Sequence, residues 1–256
     1  MSKLLEGKTA LILGVANKWS LAYAIAQAFR REGADLILTY QGERQEQSVK
    51  QLAADLSVTR VVPCDVSQDA EVDRLAEMLR SEGDPIDAIV HSIAFANRED
   101  LSRPFVQTSR EGYLLAQNVS SYSLVAISRA IAPLMSKGGS ILTLSYLGAV
   151  RVLPNYNVMG VAKAALESAV RYLAYDLGPS NIRVNAISAG PVKTASARGI
   201  ADFNTILNHV AARSPLRRNT DPAEVADTAV FLASDLGRGV TGNVLYVDSG
   251  FQIMGL

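Results

Sequence analysis

Seven short apolar runs recur along this chain at intervals too long for tight hairpins. They are TALILG (9–14), DLILTY (35–40), TRVVPCDV (59–66), DAIVHSI (87–93), GSILTLS (139–145), IRVNAIS (182–188) and NVLYVDS (243–249). Each is rich in Ile, Val and Leu and lacks clean alternation, as strands covered on both faces do. Segments with helical spacing lie between them, at 21–32, 45–56, 69–82, 110–133, 157–178 and 222–234. Strands and helices in such a series predict an α/β fold, with one Rossmann-like, doubly wound parallel sheet flanked by helices. No Pro/Ser/Gly-rich linker interrupts the pattern. The 256 residues are 48% hydrophobic, enough for one large core, so 1–256 reads as a single domain.

Charge and composition narrow the function. Lys plus Arg number 25 and Asp plus Glu number 25. A nucleic-acid or membrane-surface protein is expected to carry a basic excess, and neither partner is expected. One cysteine (Cys64) and two histidines (His91, His209) nearly exclude a zinc site, and no metal is expected. The start of the chain has no signal-peptide pattern, and no run reaches the ~18 apolar residues of a membrane span. The expectation is a cytoplasmic protein.

In an open parallel sheet, ligands bind beyond the carboxyl ends of the strands, and phosphate favours a helix N-terminus. The first strand ends at Gly14, followed by VANKWSLAYAIAQAF. The usual G-x-G-x-x-G is absent. Gly14 can provide a tight turn and close approach to a pyrophosphate. Ser20 reads as an N-cap, leaving the N–H groups from Leu21 onward for phosphate. A glycine turn before an ordinary helix explains the same residues equally well. After the second strand, Gln41 stands where an acidic ribose ligand is usual, with Arg44 nearby. This favours NADH without excluding NADPH. Asp65 and Val66 end the third strand, placed either to read adenine or, through Asp65, to cap the next helix. Ile93 ends the fourth, whose His91 reads as a core residue rather than a catalyst.

The segment SYLGAVRVLPNYNVMGVAK (145–163) carries Tyr146, Tyr156 and Lys163. Lys163 falls on a helix that is apolar on almost every side, so it needs a ligand such as the nicotinamide ribose, or else snorkels to an edge. Tyr156 precedes it by seven residues, about two turns and ~10 Å along a helix. Position 159, four before Lys163, holds Met159 where ordinary short-chain dehydrogenases place the catalytic tyrosine. Tyr146, thirteen before that, fills their serine slot.

Taken with HSIAFA (91–96), RVNAISAGPVKT (183–194) and the tail VTGNVLYVDSGF, this segment resembles the bacterial NADH-dependent enoyl-acyl carrier protein reductases of the short-chain dehydrogenase/reductase superfamily. The likeness runs the length of the chain. It departs at Ala24 and Ala94, where many members carry glycine. It implies a homotetramer that reduces an enoyl group carried on acyl carrier protein. Tyr156 and Lys163 would be catalytic and Tyr146 would line the site. Ala96 and Met159 would form pocket wall, and Val192 and Thr194 would hold the cofactor. A covering segment is expected over 195–210, with Ile200 and Phe203 against the acyl chain. Arg213, Arg217 and Arg218, or Lys193 and Arg198, are candidates for docking the acidic carrier. A carbonyl reductase of the same fold and a non-catalytic nucleotide-binding protein remain the alternatives.

Overall fold

A computed structural model describes residues 3–83, 85–194 and 203–255. Seven parallel strands form one sheet: β1 (Thr9–Leu13), β2 (Asp35–Tyr40), β3 (Arg60–Pro63), β4 (Ala88–His91), β5 (Gly139–Tyr146), β6 (Ile182–Ala189) and β7 (Val244–Val247). Their order is β3-β2-β1-β4-β5-β6-β7. Each matches one of the seven apolar runs. In the centre, Leu11 of β1 stands beside Ile37 of β2 and Ile89 of β4, all three fully buried.

Helices cover both faces, which is why the strands lack alternation. On one face, α1 (Leu21–Arg31), α2 (Glu43–Asp55) and α9 (Pro222–Ala233) pack around Phe29, Leu38 and Val230. On the other, α3 (Asp69–Glu82), α6 (Ser123–Ile131) and α7 (Asn157–Leu177) pack around Leu75, Ile127 and Leu166. A smaller apolar cluster joins Ala116 of α5 (Arg110–Gln117) to Val158, Met159 and Ala162 of α7, beneath the ligand crevice.

The ends of the helices follow from local chemistry. Ser20 caps α1 by accepting the Tyr23 N–H at 3.2 Å. Gly83, at φ 78°, ends α3 in the left-handed region open to glycine. A capping box opens α9. Asp221 accepts the Ala223 N–H, Glu224 accepts the Asp221 N–H, and Pro222 fills the first turn, where no N–H is needed.

Three features differ from the pattern-based expectation. The helix expected over 110–133 forms as α5 and α6 with a π-helical turn, Asn118–Tyr122, between them. A five-residue helix, α4 (Arg98–Ser102), follows β4. It is too short to show a period. Phe203–Arg213 forms α8, anchored by buried Leu207 and Val210. Among the described residues, no helix is long and apolar enough to cross a membrane.

The capping box carries a direct test. Asp221→Ala removes one acceptor for an α9 backbone donor and should cost about 1 kcal/mol of unfolding free energy, read as a lower denaturant midpoint at unchanged slope.

Candidate active site

The crevice begins where β1 and β4 diverge. Gly14 has φ 95°, and a Cβ at that position would lie 2.0 Å from the Ser92 carbonyl oxygen. Only glycine lets the chain turn there while β4 passes this close. Beyond it is a cavity of about 330 Å³ that brings together Gly14, Gln41, Asp65, Val66 and Ile93. Gln41 donates from Nε2 to Asp65 at 3.1 Å, and Asp65 also accepts the Ser67 N–H at 2.9 Å. Burial works to raise the Asp65 carboxyl, but the hydrogen bonds from Ser67 and Gln41 prevail and hold it below its usual value. Asp65 is therefore an ionised acceptor at the cavity wall. It does not cap α3, as one reading of the sequence had it. Gln68 occupies that cap position.

The other end of the crevice is built by β5, α7 and the chain after β6. It encloses a second cavity of about 400 Å³. Tyr146 ends β5, and Tyr156 occupies the N-cap position of α7. Their rings meet edge to face, with centroids 5.1 Å apart. Lys163 is buried and donates from Nζ to the Leu144 carbonyl at 2.7 Å. It does not snorkel to an edge. Met159 forms buried pocket wall, and Ala96 and Leu21 line the same space. Val192, Thr194 and Phe203 close it from the β6 side. Ile200 lies outside the described residues, as does half of the expected covering segment, 195–202. The other half, 203–210, makes up most of α8.

Burial dominates the electrostatics. It drives the Tyr156 phenol far above its ordinary value, reinforced by Tyr146 and Glu167. Tyr146 is pushed up to about 12 by burial. The same burial lowers the Lys163 ammonium to about 8, opposed by Glu167. The site therefore holds two protonated phenols beside an ammonium lowered to about 8. Glu167 is itself nearly enclosed and accepts a 2.5 Å hydrogen bond from Ser145 Oγ. Sequence reasoning passed over it, although the argument that singled out Lys163 applies equally to a carboxylate on the same apolar helix. His91 is fully buried, within 2.8 Å of Ser123 Oγ and 3.1 Å of Thr143 Oγ1. Burial lowers its imidazole to about 3, so it is a neutral core residue, as expected.

The sequence also gave no sign of a third cavity, about 300 Å³, behind the tyrosine pair. Leu153, Ile206, His209 and Phe251 line it, and the last two rings touch edge to face. Of the basic candidates, Arg218 is held by Glu224 at the start of α9, and Arg217 donates to the Ala212 carbonyl. Arg198 lies outside the described residues.

A parallel sheet with its crevice at the strand reversal, lined by a buried tyrosine–lysine pair, defines a nucleotide-dependent reductase of the short-chain type. The family model described as "Enoyl-(Acyl carrier protein) reductase" matches residues 14–252, and the chain belongs to that family. An enoyl-[acyl-carrier-protein] reductase [NADH] from Bacillus cereus is 55% identical, over 99% of this chain and all of the relative. One named for NADPH, from Staphylococcus aureus, is 51% identical over 97% of this chain and 98% of its own length. A crystal structure of a Bacillus cereus enoyl-acyl carrier protein reductase with NADP+ and indole naphthyridinone superposes with a TM-score of 0.98. It is 55% identical and covers 99% of this chain and 100% of its own.

The Tyr156 ring rests against Gly148, where an added Cβ would lie 2.3 Å from the Tyr156 Cδ1 atom. Gly148→Ala should displace the phenol and lower turnover by about 100-fold. The check is steady-state kinetics beside an unchanged circular-dichroism spectrum.

Proposed function

We propose that this protein is an enoyl-acyl carrier protein reductase that uses NADH and carries out the reductive step completing each round of fatty-acid elongation. The observation that carries this reading is the position of the hydroxyl donor. Met159 stands four residues before Lys163, where carbonyl reduction needs a tyrosine, while Tyr156 and Tyr146 converge on the cavity. Reduction of a carbonyl places hydride on the carbon bonded to the oxygen that needs support. Reduction of a 2-enoyl thioester places it on C3, and charge gathers on the more distant thioester oxygen. A donor displaced from position 159 suits the second geometry.

The residues fit a bound dinucleotide. The Gly14 turn leaves room where a side chain would collide, Gln41 and Asp65 offer polar groups to the adenosine half, and Val192 and Thr194 border the nicotinamide half. When bound, the nicotinamide supplies the hydride. Lys163 has three N–H donors, of which Leu144 takes one, and the others suit ribose hydroxyls. Tyr156 donates a hydrogen bond to the enolate oxygen as charge develops there. Its raised phenol keeps the proton in place, which favours donation over full transfer. The proton that finishes C2 comes from Tyr156 or a relayed water. Tyr146 holds the Tyr156 ring by its edge contact and shapes the pocket. Met159, Ala96 and Phe203 border the acyl chain. Gln41 carries no charge against a 2′-phosphate, so NADPH is accepted less well rather than refused.

The enoyl chain arrives on acyl carrier protein, in the cytoplasm. The working unit is a homotetramer. Exposed Tyr172 and Tyr175 on α7, with exposed Leu114 on α5, give the helical face an apolar surface suited to a second copy. The chain reads as one domain throughout.

NADH absorbance with a crotonyl thioester against a β-ketoacyl thioester tests the activity. The enoyl substrate should turn over and the ketoacyl one should not. Tyr156→Phe should lower the enoyl rate by ~100-fold, the scale of one oxyanion-type donor. Undiminished enoyl turnover in that variant, or ketone reduction by the parent protein, overturns the reading.

Lys163 predicts a pH dependence. Glu167 faces it from one turn along α7 and favours its charge, while His91 on β4 is neutral and Tyr156 keeps its proton. Below about 8 the ammonium is charged, and as pH rises through about 8 it is lost. NADH affinity, followed by fluorescence titration, should weaken across that range. Lys163→Met should bind weakly throughout, with a flat profile.

A further inference from the structure

Tyr156 lies between two residues in left-handed backbone, Asn155 at φ 62° and Asn157 at φ 39°. The first residue of a helix needs no such conformation, and a residue other than glycine adopts it at a cost that asparagine bears better than most. Asn157 opens α7, yet its side chain caps nothing in α7. Its Nδ2 donates to the Leu101 carbonyl at 2.8 Å and to the Arg103 carbonyl at 2.7 Å. Leu101 lies in the last turn of α4 and Arg103 is the residue that caps its end, where carbonyls have no partner within the helix. Through Leu101 and Arg98, α4 forms one wall of the cavity that holds Tyr156. The other end of this wall is tied separately. Ser120, in the π-helical turn, accepts the Phe95 N–H at 2.9 Å and donates to the Phe95 carbonyl at 3.0 Å.

We propose that Asn157 is a positioning residue, whose two hydrogen bonds lock the α4 wall of the acyl cavity to the backbone that aims the Tyr156 hydroxyl. Wall and donor then move as one unit. With α4 seated, the peptide after Tyr156 is held in its left-handed turn and the phenol faces the cavity. With α4 released, Asn157 loses both acceptors and the turn loses its support. A substrate that settles against α4 thereby helps to aim its own hydrogen-bond donor. The inference rests on the reading of Tyr156 as the donor to the thioester oxygen.

Two variants separate the parts. Asn157→Gly keeps the left-handed turn and deletes both donors. Asn157→Asp keeps the shape and sets a carboxylate oxygen against two carbonyls. Each should lower kcat at saturating crotonyl thioester by about tenfold, the worth of two modest hydrogen bonds. KM for a long-chain enoyl thioester should rise, KM for NADH should stay within about twofold of the parent value, and amide hydrogen exchange at 99–103 should accelerate. Unchanged kcat in both variants overturns the proposal. So does a rise in KM for long chains alone, which makes Asn157 a tether without influence on Tyr156. An equal loss of NADH affinity, or failure of both variants to fold, assigns Asn157 to the fold and also overturns it. The result with Tyr156→Phe is independent. If that variant keeps full enoyl turnover, the donor reading falls. If it loses turnover while the Asn157 variants do not, only the coupling falls.

Discussion

The ligand site depends on a reversal in strand order. From β1 the chain winds outward through β2 to β3, then crosses back to lay β4 on the other side of β1. The connections leaving the carboxyl ends of β1 and β4 run in opposite directions, and nothing in the sheet fills the gap between them. The crevice exists because of topology, but its depth is set by one missing atom. At Gly14 the chain turns with φ 95°, and a Cβ there would lie 2.0 Å from the Ser92 carbonyl oxygen. A side chain there would push β1 from β4 and close the cavity that Gln41 and Asp65 border.

Burial then does opposite things to Tyr156 and Lys163, because it disfavours whichever form carries charge. The neutral form of Tyr156 is its protonated form, so enclosure secures the proton. The neutral form of Lys163 is its deprotonated form, so enclosure weakens the ammonium. The fold answers the second effect locally. Leu144 accepts a hydrogen bond from Nζ, and Glu167 supplies opposite charge one turn away while Ser145 binds its carboxylate. Glu167 also adds to the rise at Tyr156. One carboxylate therefore supports both assignments, a charged lysine and an un-ionised tyrosine.

The sheet was legible because its strands are buried on both faces, so seven runs of Ile, Val and Leu stood out from polar surroundings. Lys163 was legible for a related reason, as a charge on a helix with no polar side. What escaped reading depends on contacts between segments distant in sequence. Helix α4 is short, and its place follows from the bonds Asn157 makes to Leu101 and Arg103, more than fifty positions away. The π-helical turn follows from Ser120 reaching Phe95. Asp65 looked equally suited to capping and to ligand contact, and only the position of Gln68 at the start of α3 separated the two. The resemblance put both tyrosines at one site, and both line one cavity, but their edge-to-face contact required three dimensions.

The proposed move of the hydroxyl donor from position 159 to 156 also changes what must hold it. Residue 159 lies within the first turn of α7, buried, where helical backbone alone fixes the direction of a side chain. Residue 156 stands at the cap, where the helix has not yet begun to dictate geometry. A donor there needs support from outside the helix, and four neighbours give it. Gly148 leaves a flat seat that any larger residue would occupy, the Tyr146 edge closes one side, and the left-handed turns at Asn155 and Asn157 fix the backbone on either flank. The supports come from the end of β5, the loop after it and, through Asn157, α4. Reach toward a more distant oxygen is thus gained by giving up the rigidity of the helix, and the surrounding segments restore it.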